Sequence, residues 1–316
     1  MKITFFDIDS IGTDLDLTPI TSLGECEIYP NSTPLELIER IGDTEVAVIN
    51  KMKMTKEVLD SAPNLKLILV AATGFDNIDT AHCRQKGIAV CNVPGYSTDS
   101  VALVTVTLVL SLAMRLKTYE NFVVSGEYSA SGIANRLSPA FNDLSGKTWG
   151  IVGYGNIGRK IGEVARAFGC RVIFNKNTPV DDEGYRDIDT LCRESDIITL
   201  NCPLNDKTRN LINAERIDLM KKNVILVNTA RGAVCDEQAV ADAVKNGKIT
   251  SFGCDVYSCE PFFENHPFWE IKDLPNVCLT PHMAWSSFEA RTRVIYEMSQ
   301  NMKAFLGGEI RNRVEI

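Results

Sequence analysis

Three short segments of the sequence place reactive side chains directly after predicted β-strands. The first contains Arg231, the second contains Asp255 and Glu260, and the third contains His282. Because ligands bind outside the carboxyl ends of the strands in open α/β sheets, these side chains are expected at one sheet edge. An arginine can bind a carboxylate through two parallel hydrogen bonds, and a histidine exchanges protons near neutral pH. The combination indicates acid–base chemistry on a small anionic substrate.

His282 differs in position from the other two histidines. His82 lies in an amphipathic segment among polar neighbours, and His266 lies in a loop next to a proline. His282 alone follows a predicted strand. On that position alone it could equally be a structural residue, but the arginine and the acid at neighbouring strand ends favour catalysis.

A glycine motif precedes these segments and indicates a dinucleotide site. The GxGxxG pattern consists of Gly153, Tyr154, Gly155, Asn156, Ile157 and Gly158. An apolar strand, Thr148–Val152, leads into it, and apolar residues at helical spacing lead out of it. The glycines allow a tight turn, close approach of a pyrophosphate and close helix–strand packing. The alternative is a glycine-rich turn that binds nothing.

The end of the next predicted strand carries Asn175, Lys176 and Asn177 instead of the carboxylate that binds the adenosine ribose in NAD-dependent domains. A lysine attracts a 2′-phosphate, whereas a carboxylate repels it. The sequence therefore favours NADP(H) over NAD(H). A solvent-facing lysine, with another donor at the ribose, is the alternative.

Alternating strands and helices predict an α/β protein of two domains with parallel sheets. In the first hundred residues the predicted strands are Ile3–Phe6, Val46–Ile49, Leu67–Ala71 and Ile88–Val90, with helices at Thr33–Ile41 and Thr55–Ser61. The second series has strands at Thr148–Val152, Arg171–Phe174, Asp196–Leu200, Val224–Val227, Ile249–Gly253 and Val277–Leu279, as in a doubly wound nucleotide-binding domain. Residues 286–316 form a helix and a short end that are expected to pack on the first domain.

Two segments between these series suggest an interface. Val101–Leu116 is predicted to be one helix, apolar nearly all round, that lies between two domains or two subunits. Asn121–Asp143 is rich in Ser, Asn, Gly and Pro and is predicted to be a long irregular loop.

The composition excludes several classes of protein. Hydrophobic residues make up 45% and charged residues 23%, as in water-soluble globular proteins, and a net charge of −8 disfavours nucleic acid. The longest apolar run, Val101–Met114, is too short to cross a bilayer. Asp7 and Asp9 interrupt the N-terminal region where a signal peptide is apolar. The ten scattered cysteines include no CxxC pair, which predicts reduced thiols in a cytoplasmic protein and no metal site.

Taken together, the motifs resemble the D-isomer-specific 2-hydroxyacid dehydrogenase family over nearly the whole chain. The residues that carry the resemblance are Gly74–Asp79, Gly153–Gly158, Cys202–Leu204, Thr208-Arg209, Asn228–Gly232, Asp255–Pro261 and Thr280–His282. The family implies a Rossmann dinucleotide-binding domain, residues 99–285, inserted in a flavodoxin-like substrate domain, residues 1–98 and 286–316.

The resemblance also implies a role for each matching residue. Arg231 would bind the substrate carboxylate and polarise the carbonyl, and His282 would be the general acid in reduction. Glu260 would hold the imidazole and favour its protonated form, which makes Arg231, Glu260 and His282 the expected catalytic set. Asp255 would face the nicotinamide carboxamide. The other cofactor contacts are expected from Gly153, Gly155, Asn156, Ile157, Gly158, Lys176, Cys202, Pro203, Thr208, Thr229 and Ala230, and the other substrate contacts from Thr73, Gly74 and Trp285.

Two short segments resemble particular members of the family, and they leave more than one substrate possible. Pro94–Val101 and His282–Trp285 resemble glycerate dehydrogenases and hydroxypyruvate reductases, so reduction of glyoxylate or hydroxypyruvate is the first hypothesis. A D-lactate-type dehydrogenase is the second. A nucleotide-sensing corepressor on the same fold is the alternative of another class. Asn201 stands where relatives often carry histidine. The apolar helix and the loop after it resemble the family's homodimer interface.

Overall fold

The computed structural model describes all 316 residues, which form two units. The first unit contains Met1–Ser97 and Trp285–Ile316, and the second contains Thr98–Ala284. Both junctions lie one residue before the predicted ones. Each unit is built around its own sheet, in which every strand pair is parallel.

The first unit contains a five-stranded sheet with four helices between its strands. The strands are β1 (Lys2–Phe5), β2 (Glu25–Ile28), β3 (Val46–Ile49), β4 (Leu67–Val70) and β5 (Ala89–Cys91). The helices are α1 (Thr18–Thr21), α2 (Pro34–Arg40), α3 (Lys56–Asp60) and α4 (Thr80–Lys86). The strand order β2-β1-β3-β4-β5 is the flavodoxin-like one, which confirms the predicted fold class.

Buried apolar strands and capping residues determine where these elements lie. All four side chains of β3 and of β4 are buried, as a parallel sheet covered on both faces requires. Thr33 caps α2 in a capping box with Glu36, and Thr55 caps α3. The strand β2 is not predicted from the sequence, because this edge strand carries two glutamates and has no buried residue.

The second unit contains a six-stranded sheet. Its strands are β6 (Thr148–Val152), β7 (Arg171–Asn175), β8 (Ile197–Leu200), β9 (Val224–Asn228), β10 (Ile249–Cys254) and β11 (Val277–Leu279), in the order β11-β10-β9-β8-β6-β7. Its helices are α5 (Thr98–Ala113), α6 (Leu116–Val124), α7 (Glu127–Ser131), α8 (Asn156–Ala167), α9 (Ile188–Glu194), α10 (Ala214–Leu219) and α11 (Glu237–Lys245). A parallel bridge between Phe174 and Tyr185 continues the sheet beyond β7. All six predicted strands are present, as in a Rossmann domain.

The prediction of one helix over Val101–Leu116 is wrong. The helix α5 begins at Thr98 and ends at Ala113, and Arg115 then adopts the left-handed φ of 53° that separates it from α6. The predicted irregular segment Asn121–Asp143 includes the end of α6 and all of α7. No single helix combines the length and the apolarity that a membrane crossing needs, and α5 and α6 meet those criteria only as a pair bent by 67°.

The chain returns to the first unit through α12 (Phe288–Leu306). Its buried residues, which include Val294 and Met298, join the core formed by β1, β3 and β4. The end of the chain then lies along β5. There the N–H of Val90 donates to the Glu315 carboxylate (2.8 Å) and the N–H of Val314 donates to the Val90 carbonyl (3.0 Å).

Candidate active site

The three strands that precede the predicted catalytic segments are neighbours in the sheet of the second unit. In the register, Cys254 at the end of β10 pairs with Asn228 of β9 and with Leu279 of β11. Beyond the strands, the N–H of Asp255 donates to the Asn228 carbonyl at 3.0 Å, and that of Thr280 donates to the Cys254 carbonyl at 2.9 Å. The segments that lead to Arg231, Glu260 and His282 therefore leave the sheet together, at the carboxyl ends of three neighbouring strands that end in register.

His282 and Glu260 form a hydrogen-bonded pair. The distance from His282 Nδ1 to Glu260 Oε2 is 2.6 Å, and Glu260 Oε1 accepts the N–H of Tyr257 at 3.0 Å. Both side chains are partly exposed, at 22% and 30%. Because Nδ1 faces the carboxylate, Nε2 is the ring nitrogen that can exchange a proton with a substrate. The carboxylate is fixed by a second bond, so it also fixes the plane of the imidazole.

Asp255 holds the backbone on both sides of His282. Its buried carboxylate accepts the Thr280 hydroxyl at 2.6 Å and the N–H groups of Met283 and Ala284, each at 2.9 Å. Burial raises the pKa of Asp255, and these hydrogen bonds oppose that shift. They support the left-handed backbone of His282, whose φ is 51°. Both carboxylate oxygens of Asp255 thus accept hydrogen bonds from the protein itself. Its predicted contact with a nicotinamide carboxamide stays a prediction.

Arg231 is positioned by the turn that follows β9. The amide of Asn228 donates to the Arg231 carbonyl at 2.9 Å. A Cβ on Gly232 would lie 2.1 Å from the Tyr257 carbonyl carbon and 2.2 Å from the Ser258 nitrogen. Only glycine therefore lets this turn pack directly on the Tyr257–Ser258 peptide. The turn of Arg231 and the loop of Glu260 are consequently in direct contact.

The glycine motif forms a tight turn between β6 and α8. Gly153 has a φ of 93°, and its Cβ would lie 2.6 Å from the Asn201 carbonyl carbon; a Cβ on Gly158 would lie 2.3 Å from the Gly153 carbonyl oxygen. The position of Gly155 is different, because its Cβ would meet nothing within 4 Å. The backbone before the N-terminus of α8 is thus open to an approaching anion, as a pyrophosphate requires.

Asn201 supplies a second indication of a ligand next to this turn. Its amide nitrogen donates to the Thr229 hydroxyl at 3.2 Å, and Thr229 in turn contacts the Thr105 hydroxyl at 2.8 Å. Its Oδ1 is buried and has no hydrogen-bond partner. A buried acceptor without a donor is costly, so this atom fits a polar ligand that donates to it. The residues present therefore fit a dinucleotide.

The other predicted cofactor residues follow the strands β7, β8 and β9. Lys176 directly follows β7 and is partly exposed, and Ala230 donates its N–H to the Asn228 side chain at 3.0 Å. Cys202 is buried, which raises the pKa of its thiol to about 11. The hydroxyl of Thr208 donates to the Pro203 carbonyl at 2.6 Å, which closes the loop after β8.

The substrate residues predicted in the first unit lie in two places. Thr73 and Gly74 follow β4, and the Thr73 hydroxyl donates to the Val93 carbonyl at 2.8 Å. The N–H groups of Thr73 and Gly74 donate to no acceptor of the chain, which leaves them available to an anion. Trp285 meets Tyr96 edge-on, with ring centroids 6.3 Å apart.

Two residues that shape this site, Tyr257 and Glu237, are not predicted from the sequence. Tyr257 donates its hydroxyl to the Thr280 carbonyl at 2.8 Å and its N–H to Glu260. Glu237 contacts the same loop through Ser258. For Tyr257, its place between Asp255 and Glu260 was a usable signal. For Glu237 there was none, because an acid in the first turn of a helix is common for electrostatic reasons alone.

The chain matches known proteins in sequence and in fold. The family model for the NAD binding domain of D-isomer specific 2-hydroxyacid dehydrogenases matches residues 106–284. The glycerate dehydrogenase of Methylorubrum extorquens is 37% identical over 315 residues, which cover 99% of each chain.

Two solved structures share the whole fold. The D-lactate dehydrogenase of Aquifex aeolicus, complexed with NAD and lactic acid, is 29% identical with a TM-score of 0.88 over 100% of this chain and 99% of that one. An acyclic imino acid reductase in complex with NADPH and D-Arg is 30% identical with a TM-score of 0.87 over 99% and 100%. From its sequence, its fold and the residues at the strand ends, the chain belongs to the D-isomer-specific 2-hydroxyacid dehydrogenase family.

Proposed function

We propose that this protein reduces a small 2-keto acid, glyoxylate or hydroxypyruvate, to the corresponding 2-hydroxy acid. The observation that carries the proposal is the 2.6 Å contact between His282 Nδ1 and Glu260 Oε2, at a sheet edge that also presents Arg231. Addition of a hydride to a carbonyl carbon builds negative charge on the oxygen. The reaction therefore needs a proton donor and a fixed cation beside that oxygen.

The side chains of the second unit divide this work between them. The nicotinamide cofactor supplies the hydride when it is bound. Arg231 binds the carboxylate of the substrate and stabilises the charge that develops on the C2 oxygen. His282 donates the proton on Nε2 to that oxygen, while Glu260 stabilises the imidazolium form until the proton leaves. In the oxidation of a 2-hydroxy acid the same nitrogen accepts the proton. The N–H groups of Thr73 and Gly74 are proposed as a second anchor for the carboxylate.

For the cofactor, NADPH is favoured over NADH because Lys176 occupies the position of the ribose-binding acid. The chain carries an NAD binding domain by its family match, and its structural neighbours include complexes with NAD and with NADPH. Lys176→Asp is expected to lower the ratio of kcat/KM for NADPH to that for NADH by about tenfold or more, because a carboxylate repels the 2′-phosphate. The control Lys222→Asp makes the same charge change at an exposed position after α10. An unchanged ratio in Lys176→Asp would remove Lys176 from the cofactor site.

The substrate is proposed from the similarity to glycerate dehydrogenase, since glycerate and hydroxypyruvate differ by one hydride and one proton. The similarity to D-lactate dehydrogenase makes pyruvate the second candidate. The test is the loss of NADPH absorbance, and separately of NADH absorbance, with hydroxypyruvate, glyoxylate, pyruvate and a branched 2-keto acid. The highest kcat/KM is expected for one of the first two, and the product from hydroxypyruvate is expected to be D-glycerate. No turnover of any pair by protein that binds the cofactor would instead favour a nucleotide-sensing module.

We also propose that the protein is a cytoplasmic homodimer. Exposed apolar side chains are frequent in α5 and in the segment between α5 and β6: Leu103, Met114, Leu116, Val123, Val124, Ile133, Leu137 and Phe141. A monomer rarely exposes so many together, which supports a second copy as their partner. All ten cysteines are free thiols, as is usual in a reducing compartment. Light scattering is expected to give twice the chain mass of 34.9 kDa, and a monomeric mass would contradict the proposal.

A further inference from the structure

The loop that carries Glu260 is held at its base by a second, buried glutamate. Glu237 begins α11 and is 8% exposed. Its Oε1 accepts the backbone N–H of Ser258 at 2.9 Å, and its Oε2 accepts the hydroxyl of the same serine. Both oxygens of one carboxylate therefore bind a single residue, two positions before Glu260. A bidentate grip of this kind fixes the orientation of the peptide as well as its position.

We propose that Glu237 is a positioning residue for proton transfer, acting through Ser258 on Glu260 and thus on His282. The inference rests on the proposed function, since it assigns Glu237 a part in that same reaction. Nothing in the structure brings Glu237 itself to the substrate side of the loop. Its contacts end at the loop base.

Neighbouring N–H groups of the loop donate to different carboxylates. The N–H of Tyr257 donates to Glu260 and the N–H of Ser258 donates to Glu237. Gly232 packs against the peptide between them. A displacement of Ser258 would consequently shift the chain that carries Glu260 two residues further on, and would change the contact with the turn that carries Arg231. Loss of the Glu237 grip is expected to disturb both sides of the reacting carbonyl.

Glu237 is enclosed by the protein. His266 Nε2 lies 3.0 Å from Glu237 Oε2, in contact but without the geometry of a hydrogen bond, and the two side chains are only 5% and 7% exposed. The other ionisable groups that face Glu237 are the buried thiols of Cys235 and Cys254, and burial raises the pKa of each thiol. These thiols stay neutral, so neither of them competes as an anion with Glu237 for the N–H and the hydroxyl of Ser258.

The test compares Glu237→Ala with Glu215→Ala. Glu215 also lies in the first turn of a helix, α10, but is exposed, so this control reproduces the loss of a helix-terminal acid alone. Glu237→Ala is expected to lower kcat for 2-keto acid reduction by about 100-fold, because a displacement of the order of 1 Å in a catalytic group has that effect. The KM for the cofactor should stay the same, and activity should decline at lower pH than in the wild type. Glu215→Ala should match the wild type, and Glu237→Gln should fall between the two.

A second readout does not depend on turnover. Hydrogen exchange of the backbone amides in residues 256–262 is expected to be at least about tenfold faster in Glu237→Ala than in Glu215→Ala, since the Ser258 N–H loses its acceptor. If Glu237→Ala does not fold, Ser258→Ala removes only the hydroxyl contact and should reduce kcat several-fold. Unchanged exchange in this loop, or a lower Tm with normal kcat and a normal pH profile, would overturn the positioning role. An inactive wild type with the expected exchange difference would instead refute only the proposed reaction.

Discussion

Two histidine–glutamate pairs each have one member, Glu260 or His266, in the loop that follows β10, and the two pairs differ in how much of them is exposed to solvent. In the His282–Glu260 pair the side chains are 22% and 30% exposed; in the His266–Glu237 pair they are 5% and 7% exposed. His282 turns Nδ1 to Glu260. His266 uses Nδ1 to accept the N–H of Phe268 at 3.2 Å and turns Nε2 to Glu237. The same two residue types thus form a partly exposed, hydrogen-bonded pair in one place and a buried pair in the other.

Aromatic rings account for the burial of the second pair. The rings of Phe262 and Phe268 lie 5.0 Å and 5.1 Å from the His266 ring, and that of Tyr257 lies 6.0 Å away. Three rings thus cover His266, whereas part of the His282 side chain stays exposed. Water and substrate can therefore reach the His282 imidazole, whereas the aromatic rings keep both away from the His266 imidazole.

The largest expected effect is the loss of kcat in His282→Ala, which would distinguish His282 from His266 by function. His282→Ala should reduce kcat for 2-keto acid reduction by about 100-fold to 10,000-fold, because the proton donor is lost. Its Tm should change little, since the ring is partly exposed. Steady-state kinetics and calorimetry on the same preparation measure both. Near-normal turnover at neutral pH would show that His282 is not the general acid.

A smaller effect is expected from Glu260→Gln. The glutamine can still accept the N–H of Tyr257, but it offers no negative charge to Nδ1 of His282. The imidazolium form is then less stable, so kcat at neutral pH should fall by about tenfold to 100-fold and recover in part at lower pH. The pH–rate profile is the measurement. A uniform loss at all pH values would mean that Glu260 acts on geometry alone.

The sequence was most informative where one local property determines the structure. The strands Val46–Ile49 and Thr148–Val152 were predicted with their observed bounds, because each is a continuous apolar run between polar residues. The edge strand Glu25–Ile28 was missed, since its residues are half exposed and carry charge. The break after α5 was missed as well, because the left-handed φ of Arg115 leaves no composition signal.

The same distinction holds within the site. Arg231 and His282 follow strands and could be found by position, whereas Glu237 meets Ser258 across 21 residues through a contact that only the packing of α11 creates. The unpaired oxygen of Asn201 is equally invisible in sequence, since it depends on which neighbours are absent. Residues proposed to contact the substrate are therefore easier to predict from the sequence than residues proposed to position them.

The smallest expected effect is on kcat in variants of His266, which remove its contact with Phe268 and its contact with Glu237 separately. His266→Asn keeps an acceptor near the position of Nδ1, where it caps the short 3-10 helix Pro267–Glu270, but removes the donor that faces Glu237. His266→Gln places a donor near the position of Nε2 and removes the cap.

If the buried His266–Glu237 pair supports the loop, His266→Asn should reduce kcat several-fold with little change in Tm. His266→Gln should then retain kcat and lose about 1–2 kcal/mol of stability, because the Phe268 N–H becomes a buried donor without a partner. Equal kcat values in the two variants would show that His266 serves only as a helix cap, and that Glu237 holds the catalytic loop without it.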